Sequence, residues 1–257
     1  MTRITKQGIL HVTALIAALC SFAYELVYSE LLTVMYGGTV TQYGITIGLF
    51  FSSLGVGSYI AQNFDNEQHE NFFRTETYLA VAAPVGFLFI IWLNTASGLD
   101  SLPIIIPQLL ARLPVVVIGV LSGFELPLLL GMVEAENTSE GTLRAINRPV
   151  RIINQGVFAV TSVFFHTDVE TEEYDTYSTV LAMDYLGGLG GALLFVFYLY
   201  PDVGLIASIF VLALLNGIAA LLFAMRFSTR KWGVFTGESR VINTRETTIM
   251  VLVCLLV

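Results

Sequence analysis

The sequence predicts an all-α integral membrane protein, a polytopic bundle of about seven transmembrane helices with its N-terminus in the cytoplasm. Three observations lead there. Of 257 residues, 55% are hydrophobic and 12% charged, whereas a soluble domain carries about a quarter charged residues. Six apolar stretches reach the roughly 18 residues needed to cross a bilayer, and a seventh begins. The basic residues gather on one side of the resulting topology.

The first helix is expected over about 8–36 and ends at Gly37-Gly38, a pair that breaks helices. No small-residue cleavage site follows it, and it is too long for a signal-peptide core, so it is expected to stay as a membrane helix. The second is expected over 39–62, followed by a polar, acidic connector over 63–76. The third covers 77–95, and Ser97-Gly98-Leu99-Asp100 turns the chain. The fourth covers 103–132, with an interfacial start around Pro107 and Pro114. After a long connector over 133–178 come a fifth helix over 179–200, a tight turn at Pro201-Asp202, and a sixth helix over 203–227. A basic connector leads to an incomplete seventh, 247–257, which is too short to span. Either the natural chain continues past Val257, or this segment is a short interfacial tail.

Orientation follows from Lys and Arg, which are enriched in cytoplasmic loops. With the N-terminus inside, the inner segments hold Arg3, Lys6, Arg74, Arg144, Arg148, Arg151, Arg226, Arg230, Lys231, Arg240 and Arg245. Only Arg112 falls toward the outer side. The expected location is a bacterial inner membrane, with the lipid bilayer as the first partner.

The 133–178 connector is acidic at both ends and apolar between, from Ile152 to Phe165. Ile152, Ile153, Val157, Val160 and Phe164 share one face if the stretch is helical. It reads either as an element lying on the inner membrane surface or against a partner protein, or as a loop packed on its own domain. The net charge of −8 disfavours nucleic acid, which attracts clustered Lys and Arg. Cys20 and Cys254 both lie in apolar stretches and read as small buried hydrophobes. No metal or cofactor motif is present, and no catalytic site is recognised.

Ionisable groups inside a membrane are costly and are functional suspects. Glu25, Glu30, Glu125 and Asp184 are the four. At about 1.5 Å per residue, Glu30 lies near the outer end of the first helix, with Arg112 as an ion-pair partner that would fix two helices. Glu125 and Asp184 come out at matching depths near the inner side, with His11 at a similar level. Two carboxylates in low dielectric cannot both ionise cheaply. They read as a proton relay or cation site, or as hydrogen-bonded links between neighbouring helices. Gly187 and Gly191 are four apart, as are Ser53 and Gly57, a spacing that lets membrane helices approach closely. A phosphate-binding glycine loop would instead follow a strand at the aqueous surface.

Three segments together resemble one family. The first is Tyr24-Glu25-Leu26, then Gly37-Gly38-Thr39-Val40-Thr41-Gln42-Tyr43-Gly44 running on to Phe50, and Leu54-Gly55-Val56-Gly57-Ser58. The second is Gly123-Phe124-Glu125-Leu126-Pro127-Leu128-Leu129, and the third Met183-Asp184-Tyr185-Leu186-Gly187-Gly188-Leu189-Gly190-Gly191. In this order they resemble the membrane domain of membrane-anchored spermidine synthases, the polyamine aminopropyltransferase family. The resemblance implies a soluble aminopropyltransferase domain after the helices, with a glycine-rich loop and an acid for decarboxylated S-adenosylmethionine and an aspartate for the amine. No position here matches those motifs; only Glu25, Glu125 and Asp184 carry over, as acids of the membrane-domain motifs. The 133–178 connector looks like an insertion relative to the family pattern, which points to a divergent member or a complex subunit.

Three functions follow as expectations. The first is a scaffold or anchor domain of a spermidine synthase-like protein. The second is a transporter of protons or organic cations such as polyamines, because of the buried acids and because Gly55–Asp65 resembles the loop after the second helix of major facilitator transporters. The third is a subunit of a larger membrane complex, contacting protein partners through the connector and the glycine-rich fifth helix.

Overall fold

A computed structural model describes residues 6–62, 68–95, 103, 105–139 and 176–227. The incomplete seventh helix over 247–257 and most of the 133–178 connector lie outside the described residues. Those residues form α1 (Lys6–Tyr36), α2 (Thr39–Ala61), α3 (Gln68–Thr95), a short α4 (Ile105–Leu110), α5 (Leu113–Ser139), α6 (Thr176–Leu194), a π-helical segment (Phe195–Val203) and α7 (Leu205–Phe227). No strand occurs among them. Among the described residues, six helices are long and apolar enough to cross a membrane.

The largest departure from the sequence reading is in α3. It begins at Gln68, nine residues before the expected start at Thr77. Residues 68–76 are polar enough to read as a connector, yet Phe72 and Phe73 are fully buried. Glu70 and Arg74, one turn apart, form an ion pair along one face of the helix. Phe72 packs on Phe223 of α7 with ring centroids 4.9 Å apart, and His69 stacks on the same ring at 6.1 Å. Tertiary burial thus overrides the local polarity.

Prolines stand at two of the other departures. The expected fourth helix is two, α4 and α5, joined by a turn at Ala111 and Arg112. Pro114 stands in the first turn of α5, where a missing N–H costs nothing. α5 also runs on to Ser139, past the expected end at 132. The expected turn at Pro201-Asp202 is instead helical: the chain widens into π turns through Val203. A wider turn removes the clash between a proline ring and the carbonyl four residues back. Gly204, at φ 83°, ends it by donating its N–H to the Leu199 carbonyl at 2.9 Å, a conformation that suits glycine. Gly37 and Gly38, both at φ 71°, make the corresponding reversal between α1 and α2.

α1 is the central helix and touches every other long helix. The most extensive pairings are α1 with α6 and α2 with α5. Successive long helices alternate in direction, so both of these pairs run parallel. A Cβ on Gly187 or Gly191 would strike the backbone of Leu15 or Leu19, respectively. Likewise Gly57 lies against Val120, Gly123 against Leu54, and Gly119 against Phe50 and Ser53. Ser53, Gly57, Gly187 and Gly191 are therefore all at close helix crossings, where a small residue lets backbones meet.

Candidate functional site

Four helices bring polar side chains to one level of the bundle. α1 supplies Cys20, Ser21 and Tyr24; α3 supplies Glu76; α5 supplies Ser122 and Glu125; α7 supplies Asn216. All except Cys20 are polar groups with little or no solvent exposure: Glu76, Asn216 and Tyr24 are 0% exposed and Glu125 4%. Buried polar groups normally find hydrogen-bond partners, and here they do so only in part.

The satisfied half is Ser21 with Glu125. Ser21 Oγ lies 3.0 Å from Glu125 Oε2, 3.2 Å from Oε1 and 3.0 Å from Ser122 Oγ. Ser122 can donate its own hydroxyl proton to Ser21, which leaves the Ser21 proton for Glu125, the one side-chain donor the carboxylate has among the described residues. The charged groups that act on Glu125 are Glu76 and Asp184, both acids. Cys20 is turned away, its thiol 3.9 Å from the Leu212 carbonyl.

The unsatisfied half is Glu76 with its neighbours. Both Glu76 carboxylate oxygens, the Tyr24 hydroxyl and Asn216 Oδ1 are buried without a hydrogen-bond partner. The Asn216 amide nitrogen lies 3.5 Å from the Glu76 backbone carbonyl, and its side chain also acts on the Glu76 carboxylate. Tyr24 lies within electrostatic reach of both Glu76 and Glu125.

Glu76 and Asn216 were absent from the residues singled out in the sequence, although a signal exists for each. Phe72, Phe73, Glu76, Leu79, Ala80, Ala83 and Phe87 recur at helical spacing and are all fully buried. Glu76 is thus an acid within an apolar stripe. Asn216 interrupts a similar stripe of Ile209, Leu212, Ala220 and Phe223.

Of the four acids expected to matter, Glu125 is at the centre of the cluster, whereas Asp184, one turn before Gly187 at Leu15, lies nearer the level of His11 than that of Ser21 and Glu125. Glu25 is buried one turn beyond Ser21 and makes no hydrogen bond to another described residue. Glu30 sits apart, accepting hydrogen bonds from the Tyr200 hydroxyl at 2.8 Å and the Tyr43 hydroxyl at 3.0 Å. The expected Arg112–Glu30 ion pair does not form. Arg112 is held by its own turn and by α2, donating to the Gln108 carbonyl and, at 2.8 Å, to Gln42 Oε1. His11 is half-buried on α1, ten residues and about 15 Å along the axis from Ser21. Since Glu125 engages Ser21, it lies well above His11 rather than level with it.

An open apolar groove of about 910 Å³ lies elsewhere, between α1, α3, the π segment and α7, lined by residues such as Leu31, Phe87, Tyr200 and Phe210. Its lining offers no titratable cluster. Among the described residues no group of three or more His, Cys, Asp or Glu side chains is arranged to hold a metal.

Comparison with known proteins points one way. The chain is 27% identical over 253 residues to a polyamine aminopropyltransferase of Leptospira interrogans, which covers 97% of this chain but 41% of that protein. It is 27% identical over 218 residues to polyamine aminopropyltransferase 2 of Ralstonia nicotianae, covering 84% of this chain and 35% of that one. It is 26% identical over 228 residues to a polyamine aminopropyltransferase of Oceanobacillus iheyensis, covering 87% and 36%. These similarities support a spermidine synthase-like relation. The chain spans about two fifths or less of the length of these relatives. No family model and no solved structure matches it.

Proposed function

We propose that this chain is the membrane-embedded anchor domain of a spermidine synthase-like protein, set in a bacterial inner membrane with its N-terminus on the cytoplasmic side. The observation that carries this reading is the partial overlap with the relatives: nearly all of this chain aligns to less than half of the Leptospira protein. Six helices of crossing length support the membrane placement, and the one-sided Lys and Arg distribution supports the orientation. The role is a scaffold that holds an aminopropyltransferase domain, or a partner carrying one, at the membrane surface. The 133–178 connector is the surface such a partner would meet; the α6 glycines, also expected to face a partner, pack instead against Leu15 and Leu19 of α1.

The test is purification of the protein from its native membrane, followed by intact mass and an aminopropyl-transfer assay on the whole preparation. A mass well above 28.2 kDa, or a co-purifying soluble subunit, with transfer activity is the expected result. A lone 28.2 kDa species without transfer activity overturns it.

A second reading, transport of protons or organic cations, is favoured by the buried Glu125 and the half-buried Asp184. Under it, Glu125→Gln with Asp184→Asn abolishes uptake into vesicles; unchanged flux removes it.

A further inference from the structure

We propose that the bundle contains a site for a singly charged, oxygen-coordinated cation between α1, α3, α5 and α7, with Glu76, Glu125, Tyr24 and Asn216 as its ligands. This goes beyond the anchor reading and does not depend on it.

Geometry and chemistry both lead to this site. Four buried oxygens lack a hydrogen-bond partner of good geometry, Glu76 Oε1 and Oε2, the Tyr24 hydroxyl and Asn216 Oδ1, and both Tyr24 and the Asn216 side chain neighbour Glu76. Tyr24, Glu76 and Asn216 are each 0% exposed. Glu125 adds a second carboxylate whose one side-chain donor among the described residues is Ser21. The Asn216 amide nitrogen is a neutral donor beside Glu76, the other facing groups are acceptors or rotatable hydroxyls, and the charged groups acting on Glu125 are acids. Burying a carboxylate without a counter-charge is heavily penalised unless a cation or proton compensates it.

The ligand set selects the occupant. Carboxylate, amide and phenol oxygens are hard donors, and Cys20, the one soft group nearby, points to Leu212. Soft transition metals are thereby disfavoured. Magnesium sheds its water reluctantly and usually keeps several, which a water-excluded core does not accommodate. An alkali-metal ion or the ammonium head of an amine satisfies the same oxygens at lower dehydration cost.

The experiment is thermal unfolding of the purified protein in detergent, at constant ionic strength, in the chlorides of sodium, potassium, ammonium, putrescine and choline. Choline is the bulky control. The expected result is a saturable rise of about 5 °C over choline in at least one of the other four. A rise with sodium or potassium identifies a metal ion, and a rise with ammonium or putrescine identifies an amine head. Glu76→Gln should weaken the apparent affinity at least tenfold, and Glu30→Gln, at a different acid, should leave it unchanged. Equal midpoints in all five salts overturn the proposal, as does a rise that survives Glu76→Gln. If Glu76→Gln does not fold, Tyr24→Phe keeps the ring and removes one oxygen, and an unaltered affinity in that variant overturns the proposal as well.

Discussion

Ser21 on α1 and Glu125 on α5, 104 residues apart in the chain, are hydrogen-bonded in the interior, with Ser21 Oγ 3.0 Å from Oε2. This contact ties the central helix to the helix carrying the second family-like motif, and it is the one side-chain donor that Glu125 has among the described residues. Ser21→Ala should therefore cost about 1–3 kcal/mol, the usual penalty for leaving a buried acceptor unmet. A double-mutant cycle with Glu125→Gln, read by unfolding midpoints, should return a coupling above about 0.5 kcal/mol. Strict additivity would mean that the bond contributes nothing.

The parallel α2–α5 crossing depends on the absence of side chains. Gly57→Ala and Gly123→Ala each place a methyl on the opposing backbone, at Val120 and Leu54. Each should destabilise by about 1–3 kcal/mol, as overpacking does. Gly55→Ala is the control: its Cβ meets nothing within 4 Å, and the gain in helix propensity makes it neutral or mildly stabilising. Thermal midpoints of the three variants, measured side by side, check this.

Glu30 is a clamp between α1, α2 and the π segment through Tyr43 and Tyr200. Tyr200→Phe and Glu30→Gln should show coupling in a double-mutant cycle, smaller than that of Ser21 with Glu125 because Tyr200 is exposed. Arg112→Ala should be additive with Glu30→Gln and non-additive with Gln42→Ala, its actual partner. Coupling of Arg112 to Glu30 would restore the ion pair that the sequence suggested.

Gly204 ends the π segment at φ 83°. A Cβ there meets open space, so any cost of Gly204→Ala is conformational. A loss of about 1 kcal/mol or more is expected, seen as a lower midpoint. No loss would mean that the turn relaxes to negative φ.

Much of the architecture was readable from residue order alone. Six apolar stretches marked six long helices, because hydropathy and helix length are local sums along the chain. Gly37-Gly38 marked a reversal, and the small residues Ser53, Gly57, Gly187 and Gly191 marked helix crossings. Glu125 and Asp184 stood out because a charge in an apolar run is conspicuous. Glu76 did not, since the polar residues before it made 63–76 resemble a connector, although its place in the row from Phe72 to Phe87 is helical and apolar.

Residue order determined which segments are helical and apolar, and which acids they carry. Only the tertiary structure decided that Ser21 meets Glu125 and Asn216 meets Glu76, that Arg112 turns to Gln42, and that Glu125 lies above His11. Depth counted along a helix gives one coordinate of a side chain. The rotation of each helix and the choice of its neighbours give the other two, and these are set by packing, where glycines let α2 reach α5 and α6 reach α1 while Phe72 and Phe73 carry the polar start of α3 into the interior.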